Sequence, residues 1–408
     1  MASANHGSGR GLQSTPLSRA TDSSADGEHT AGLETPALVS QRAGLNRTRL
    51  AIVGCVGVPN VYGGFESFAE HVSPALRARG LTVTVTCDRA RYVHDLSPDF
   101  KGVRRLFIRM PANGALSPLH DLLAFVRVVF SHDTVLVLGV SGGLFFPLFW
   151  LLALLSGSRV LVNIDGVEWR RTKFQRWRRR YLYLSDWLAQ RFAHQVIYDN
   201  LALKRFLHFP AKSHCIAYSG DHAAVAPAAS TTPGWTRGSA ASYALTVCRI
   251  EPENNCEMLI QGFLASRLGE YRFVGNWSAS DYGRALRAKY AHEPRLRLMD
   301  PVYEAGPLHT MRQGCSHYLH GHAVGGTNPS LVEMLYFDCH ILCFDCDFNR
   351  CTAETAAMYF RRSDDLKRQL DKALPVSAPP AHVRERYTLG TIVEQLTGLM
   401  GSVPGRLD

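Results

Sequence analysis

The chain has 408 residues, 46% of them apolar and 20% charged, a balance that suits a folded protein with a hydrophobic core and excludes a wholly disordered polypeptide. That length accommodates two ordinary domains plus a tail. A net charge of +10 and a pI near 9.2 suit phosphate-bearing ligands, anionic lipid or nucleic acid, without choosing among them.

Residues 1–48 are rich in Ser, Ala, Gly and Thr, lack the apolar segment of a signal peptide, and read as a disordered tail. "RLAIVG" at 49–54 reads as a buried strand, followed by a glycine-rich turn, a helix near 64–79 and a strand at 81–87. Further strands are expected at 134–139, 159–164 and 194–199, with helical stretches between them. The most apolar run, "LFFPLFWLLALL" at 144–155, is too short to span a bilayer; it reads as a helix buried against a sheet, with shallow membrane contact as the alternative. Residues 223–242 break the rhythm with small residues, Pro and Gly, and read as a linker. The alternation then restarts with strands at 243–248, 271–275, 295–299, 317–320 and 340–344 and helices near 255–266 and 280–291. Alternating strands and helices predict an α/β protein of two Rossmann-like domains, 49–222 and 243–380, with parallel sheets facing a central cleft. Residues 381–408 are expected to form a C-terminal helix returning to the first domain.

The 10 cysteines lie within or beside apolar runs and read as reduced thiols of a cytosolic protein. Cys339, Cys343, Cys346 and Cys351 cluster, but not as paired CxxC, so structural zinc is not expected. "DCD" at 345–347 imitates an Asp-x-Asp metal signature, yet three-residue matches are common by chance and no metal is expected there.

Four stretches could carry chemistry. "GCVGVPNVYGGFE" at 54–66 connects a strand to a helix, but Val56 occupies the second glycine of the dinucleotide fingerprint. Asp88 ends the next strand, where a ribose-binding acid could sit, so a nicotinamide enzyme stays open. Gly63 and Gly64 can present amides to a phosphate or sugar, or serve only as a tight turn. "NIDGVEWRR" at 163–171 places Asp165 and Glu168 in one loop, able to orient or deprotonate a hydroxyl, or else to act as turn residue and arginine partner. The basic, aromatic segment that follows, 170–187, suits anionic lipid, nucleic acid or a solvated face; it has no RNA-motif signature, and lipid is favoured over nucleic acid. "RIEPENN" at 249–255 places Arg249 at a strand end, where a guanidinium can stabilise a departing diphosphate. "HGHAVGGTNPSLVEML" at 320–335 feeds a glycine turn into a helix capped by Asn328 with Pro329 at its first position, an arrangement suited to an anion.

Taken in order, these four stretches and "FDCDFNR" at 344–350 resemble the motifs of bacterial family-4 glycosyltransferases, in the branch of β-rhamnosyltransferases of capsule, O-antigen and exopolysaccharide assembly. The resemblance runs from about residue 49 to about 360. It implies the GT-B fold and retaining transfer from a nucleotide-diphosphate sugar, without cofactor or essential metal. It implies Glu333 on the donor ribose and Arg249 on the diphosphate, Gly63 and Gly64 near the phosphates, and Gly325, Gly326, Thr327 and Asn328 around donor sugar and phosphate, with Asn254 beside them. Asp165 and His322 fall at the reacting centre, and Glu66, Glu168 and Trp169 on the acceptor side. Two positions depart from the wider family: Gly325 stands where it has a second glutamate, and Asn254-Asn255 where a lysine is usual. A site with less charge for sugar hydroxyls suits a deoxysugar such as rhamnose. The expected partners are a nucleotide-sugar donor, a polyprenyl-diphosphate-linked glycan acceptor and the anionic inner face of the bacterial plasma membrane, with no nucleic acid. A nucleotide-sugar epimerase of the same fold and a non-catalytic glycan- or lipid-binding relic are the alternatives.

Overall fold

A computed structural model of the chain describes residues 48–164, 166–171, 174–225, 243–372 and 378–401. All but the last residue of the predicted tail (1–48) and most of the predicted linker (226–242 of 223–242) lie outside the described residues. Among those described, the strands form one sheet of eight and one of six.

The first sheet contains β1 (Arg49–Val53), β2 (Thr82–Asp88), β3 (Asp99–Phe100), β4 (Val103–Ile108), β5 (Thr134–Leu138), β6 (Arg159–Asn163), β7 (Gln195–Tyr198) and β8 (Ser213–Cys215), in the order β3-β4-β2-β1-β5-β6-β7-β8. The second contains β9 (Tyr243–Val247), β10 (Glu270–Val274), β11 (Leu296–Met299), β12 (His317–His320), β13 (His340–Phe344) and β14 (Ala357–Phe360), in the order β11-β10-β9-β12-β13-β14. Only the β3–β4 pair is antiparallel. Side chains alternate across each strand: Leu50 and Ile52 enter one core layer while Ala51 and Val53 enter the other, as do Leu319 and Tyr318 in the second sheet. Burial on both faces is why these strands read as continuous apolar runs. This is the predicted fold class.

Sequence patterning missed β4 because "VRRLFI" carries two arginines. Arg105 is buried nonetheless; its guanidinium pairs with Asp95 at 2.6 Å and lies over the Tyr92 and Phe107 rings. The helix Leu389–Gly401 packs on the first domain, inserting Ile392, Val393, Leu396 and Met400 into the core beneath the helix Gly64–Ala78. The Asp221 carboxylate accepts the Leu389 N–H at 3.0 Å, which anchors the start of that returning helix. The apolar run read as a buried helix is only half buried. In the helix Phe146–Ser156, Phe146, Phe149 and Ala153 face the core, whereas five other apolar side chains face solvent.

Asp121 is 1% exposed and accepts hydrogen bonds from Ser141 Oγ at 2.5 Å and Gly142 N at 3.0 Å. Burial pushes its carboxyl up to about 7 despite those bonds. An unfolded aspartate ionises near 3.9, so between pH 4 and 7 the folded chain keeps a proton that the unfolded chain has lost. Stability therefore falls with rising pH across that window, by up to roughly 4 kcal/mol. Asp121→Asn is expected to raise Tm by several degrees at pH 8 and to leave it nearly unchanged at pH 4, as measured by thermal circular dichroism.

Candidate functional site

In each sheet the chain leaves one central strand in opposite directions: β1 lies between β2 and β5, and β9 between β10 and β12. Such reversals open a crevice at the strand carboxyl ends, where ligands bind. The sequence-predicted loops follow these strands: 54–63 after β1, 248–255 after β9 and 321–328 after β12. The start of the helix Gly64–Ala78 faces the start of the helix Pro329–Met334. A Cβ added to Gly64 would stand 3.6 Å from the Pro329 ring, so the two predicted turns meet across the cleft.

Asn328 caps its helix as expected, accepting the Ser330 N–H at 3.0 Å. The helix has only six residues, however, so few aligned peptide dipoles stand behind it, and its capacity for an anion rests on individual amides. Among the described residues the N–H groups of Gly325, Gly326 and Asn328 donate to no protein group. Thr327 is committed elsewhere: its amide bonds Asp199 Oδ2 at 3.1 Å, and its hydroxyl bonds the Asp199 carbonyl and accepts Asn200 Nδ2 at 3.2 Å. Thr327 thus joins the second domain to the end of β7 rather than presenting its hydroxyl to a sugar. Across the cleft, the fifteen-residue helix behind Gly63 and Gly64 supplies the longer dipole.

Arg249 leaves the end of β9 with 64% of its side chain exposed and Glu251 at 3.9 Å. Asn254, expected beside the donor, is buried and spoken for at both ends of its amide. Its Nδ2 donates to the Arg249 carbonyl at 2.6 Å, and its Oδ1 meets His322 Nδ1 at 2.7 Å. Because the amide nitrogen faces a carbonyl, the oxygen faces His322, which places the imidazole proton on Nδ1 and turns Nε2 toward Gly325. Asn254 therefore positions His322 and the Arg249 backbone.

Glu333 is held by three side chains that sequence reading passed over. Its Oε2 pairs with Arg312, and its Oε1 lies 3.3 Å from His222 Nε2; His222 in turn stacks on His71 with ring centroids 3.7 Å apart. Burial pushes the Glu333 carboxyl up, but the Arg312 charge, the His222 hydrogen bond and the charges of His222 and His71 outweigh it and hold it below the usual carboxylate value. His71 and His222 belong to the first domain, and Glu333 and Arg312 to the second. No local pattern marks Arg312, which is simply one basic residue on the helix Ala305–Gly314.

Asp165 lies outside the described residues. Its neighbour Gly166 touches the second-domain turn: a Cβ there would stand 2.9 Å from Gly325 Cα. Arg171 links the two domains, pairing with Glu168 at 2.8 Å and Glu253 at 3.0 Å. Glu168 thus shares, from within the first domain, the arginine that reaches Glu253 in the second. Trp169 donates to Asp186 Oδ2 at 3.2 Å and packs edge-on against Tyr183 and Phe206. Glu66, expected on the acceptor side, is 3% exposed and accepts the Val56 N–H at 2.7 Å, bracing the first glycine loop from within. In the "DCD" stretch, Asp345 pairs with Arg350 and Arg361, and Asp347 with Arg205.

A family model described as a domain of unknown function, DUF1972, matches residues 47–221. No curated protein matches the sequence. Among solved structures, the chain is similar to Anabaena Alr3699/HepE in complex with UDP-glucose, at 13% identity over 87% of this chain and 100% of that one, with a TM-score of 0.66. It is also similar to sucrose-phosphate synthase from Thermosynechococcus elongatus, at 14% identity over 87% and 98% and a TM-score of 0.70. A third likeness is to the trehalose-6-phosphate synthase OtsA, at 12% identity over 88% and 100% and a TM-score of 0.63. At these identities the likeness shows the fold, which is GT-B.

Proposed function

We propose that the chain is a glycosyltransferase that moves a sugar from a nucleotide-diphosphate donor to a polyprenyl-diphosphate-linked glycan, with retention of configuration, in bacterial surface polysaccharide assembly on the cytoplasmic side of the membrane. One observation carries this reading: two glycine turns meet across the cleft between Arg249 and Glu333. The likeness to a UDP-glucose complex supports a nucleotide sugar as the ligand of that cleft.

In this scheme the amides of Gly325, Gly326 and Asn328 and the start of the helix at Gly64 hold the diphosphate. Arg249 neutralises charge as the bond between the anomeric carbon and the diphosphate oxygen breaks. The acceptor hydroxyl forms the new bond to the anomeric carbon and passes its proton to the departing diphosphate. A carboxylate has about four lone-pair sites, so Glu333 keeps acceptors for ribose hydroxyls while paired to Arg312. His322 is assigned to the reacting centre, and Asp165 is its candidate partner there by sequence position. Glycine at 325 leaves the sugar pocket less charged, which fits a deoxysugar such as L-rhamnose. Metal and cofactor have no part in the scheme.

Incubation with a panel of nucleotide sugars, with and without a polyprenyl-diphosphate glycan, tests it. Release of nucleoside diphosphate is expected only when the acceptor is present. Isomerised donor without acceptor would point to an epimerase, and absence of turnover in every mixture would leave a binding protein.

A further inference from the structure

Three helices, Ser117–Val128, Phe146–Ser156 and Arg176–Phe192, cover one face of the first sheet. Phe125 stacks on Phe149 with centroids 4.0 Å apart, and Trp150 tilts against Phe192 at 6.2 Å, so the three lie side by side with Phe146–Ser156 in the middle. That middle helix, "FPLFWLLALLS", has no charged residue and turns Leu148, Trp150, Leu151, Leu154 and Leu155 outward, the last two 64% and 70% exposed. Leu123 and Leu184 extend the apolar surface onto the helices on either side. A contiguous apolar face of this kind is rare on a protein that meets only water. At one end of it the helix Arg176–Phe192 opens with exposed Arg176, Arg178, Arg179 and Arg180; the acid nearest them along that helix, Asp186, is buried. No helix of the described residues is long and apolar enough to cross a membrane.

We propose that this face docks on an anionic lipid bilayer, with its leucines and Trp150 entering the boundary between headgroups and acyl chains and the arginines meeting lipid phosphates. Apolar surface beside a cluster of exposed arginines matches a bilayer, which offers hydrocarbon and anionic groups side by side. Resting on the transferase reading, the geometry also orients the acceptor. Arg179 Nε bonds the Trp169 carbonyl at 2.9 Å, in the loop that follows β6 at the cleft. Headgroup level and cleft mouth therefore coincide, and a lipid-borne diphosphate would arrive beside the donor.

Flotation of the full chain with vesicles of phosphatidylcholine, alone or mixed with phosphatidylglycerol, tests the docking. Wild type is expected to float with the mixed vesicles. The double variants Leu151→Glu/Leu154→Glu and Arg178→Glu/Arg180→Glu are each expected to partition at least about tenfold less. Because these side chains are exposed, melting temperature and binding of UDP, GDP or dTDP should match wild type. Docking is overturned if wild type ignores both vesicles, if either variant floats as well as wild type, or if light scattering shows that Leu151→Glu/Leu154→Glu only splits a dimer. Failure of all three proteins to bind any nucleoside diphosphate, with flotation behaving as expected, would count against the transferase reading alone.

Discussion

Glu333→Ala is expected to lose nucleoside-diphosphate binding altogether and to lower stability by about 3–5 kcal/mol, because it leaves the Arg312 guanidinium buried without its partner. The Arg312 side chain is 7% exposed and that of Glu333 is 12% exposed, so neither charge can turn to water for compensation. The two effects separate with further variants. Glu333→Gln keeps the shape and part of the hydrogen bonding, and is expected to melt closer to wild type while binding UDP, GDP or dTDP at least about a hundredfold more weakly, the loss of a charge-assisted contact. A Glu333→Leu/Arg312→Met pair replaces the ion pair by apolar groups, which restores much of the stability without restoring binding. Calorimetric titration and thermal melts on the same proteins supply both readouts. Wild-type affinity in the glutamine variant would remove Glu333 from the donor site.

Gly325→Glu, which places an acid on the second-domain turn, is expected to impair the protein. Gly325 has φ +139°, a conformation essentially reserved for glycine, and costs of order 1–3 kcal/mol attend a side chain there. A Cβ would stand 2.9 Å from His322 Nε2 and 3.8 Å from Arg171 Nη2. Relief requires moving His322, which Asn254 holds, or the Gly166 loop against which the turn packs. Tm is expected to fall by several degrees and nucleoside-diphosphate affinity by at least about tenfold. Gly325→Ala carries the backbone strain without the charge, and losses of similar size in both variants would assign the effect to the backbone. A glutamate variant with wild-type Tm and tighter donor binding would show that this turn accommodates the acid.

His222 and Arg312 mark the limit of what the sequence could disclose about the site. The glycine turns, Arg249 and Glu333 could be singled out as candidates because each sits at a fixed offset from a strand end, and doubly wound sheets bring strand ends to one crevice. The groups around Glu333 come from three separate parts of the chain: a helix interior at His71, the end of the first domain at His222 and another helix at Arg312. No spacing rule connects them. Glu66 and Asn254 erred in the opposite direction. Both are polar residues in glycine- or proline-rich loops, where contact with a ligand and contact with the loop's own backbone have the same local pattern. In the fold, Glu66 accepts the Val56 amide and Asn254 donates to the Arg249 carbonyl. Buried loop backbone needs partners, and these side chains provide them.

The sequence by itself determined the alternation of strands and helices, the division into two Rossmann-like halves and the fold class, because periodicity and glycine placement are local properties of the chain. It also placed the glycine turns at the cleft, through loops whose positions follow from strand ends. Tertiary structure alone decided which carboxylates are paired and which side of an apolar helix faces water. It decided too that Gly325 must be glycine. Those facts depend on what the packing brings within a few ångströms, and burial sets the electrostatic cost of whatever is left without a partner.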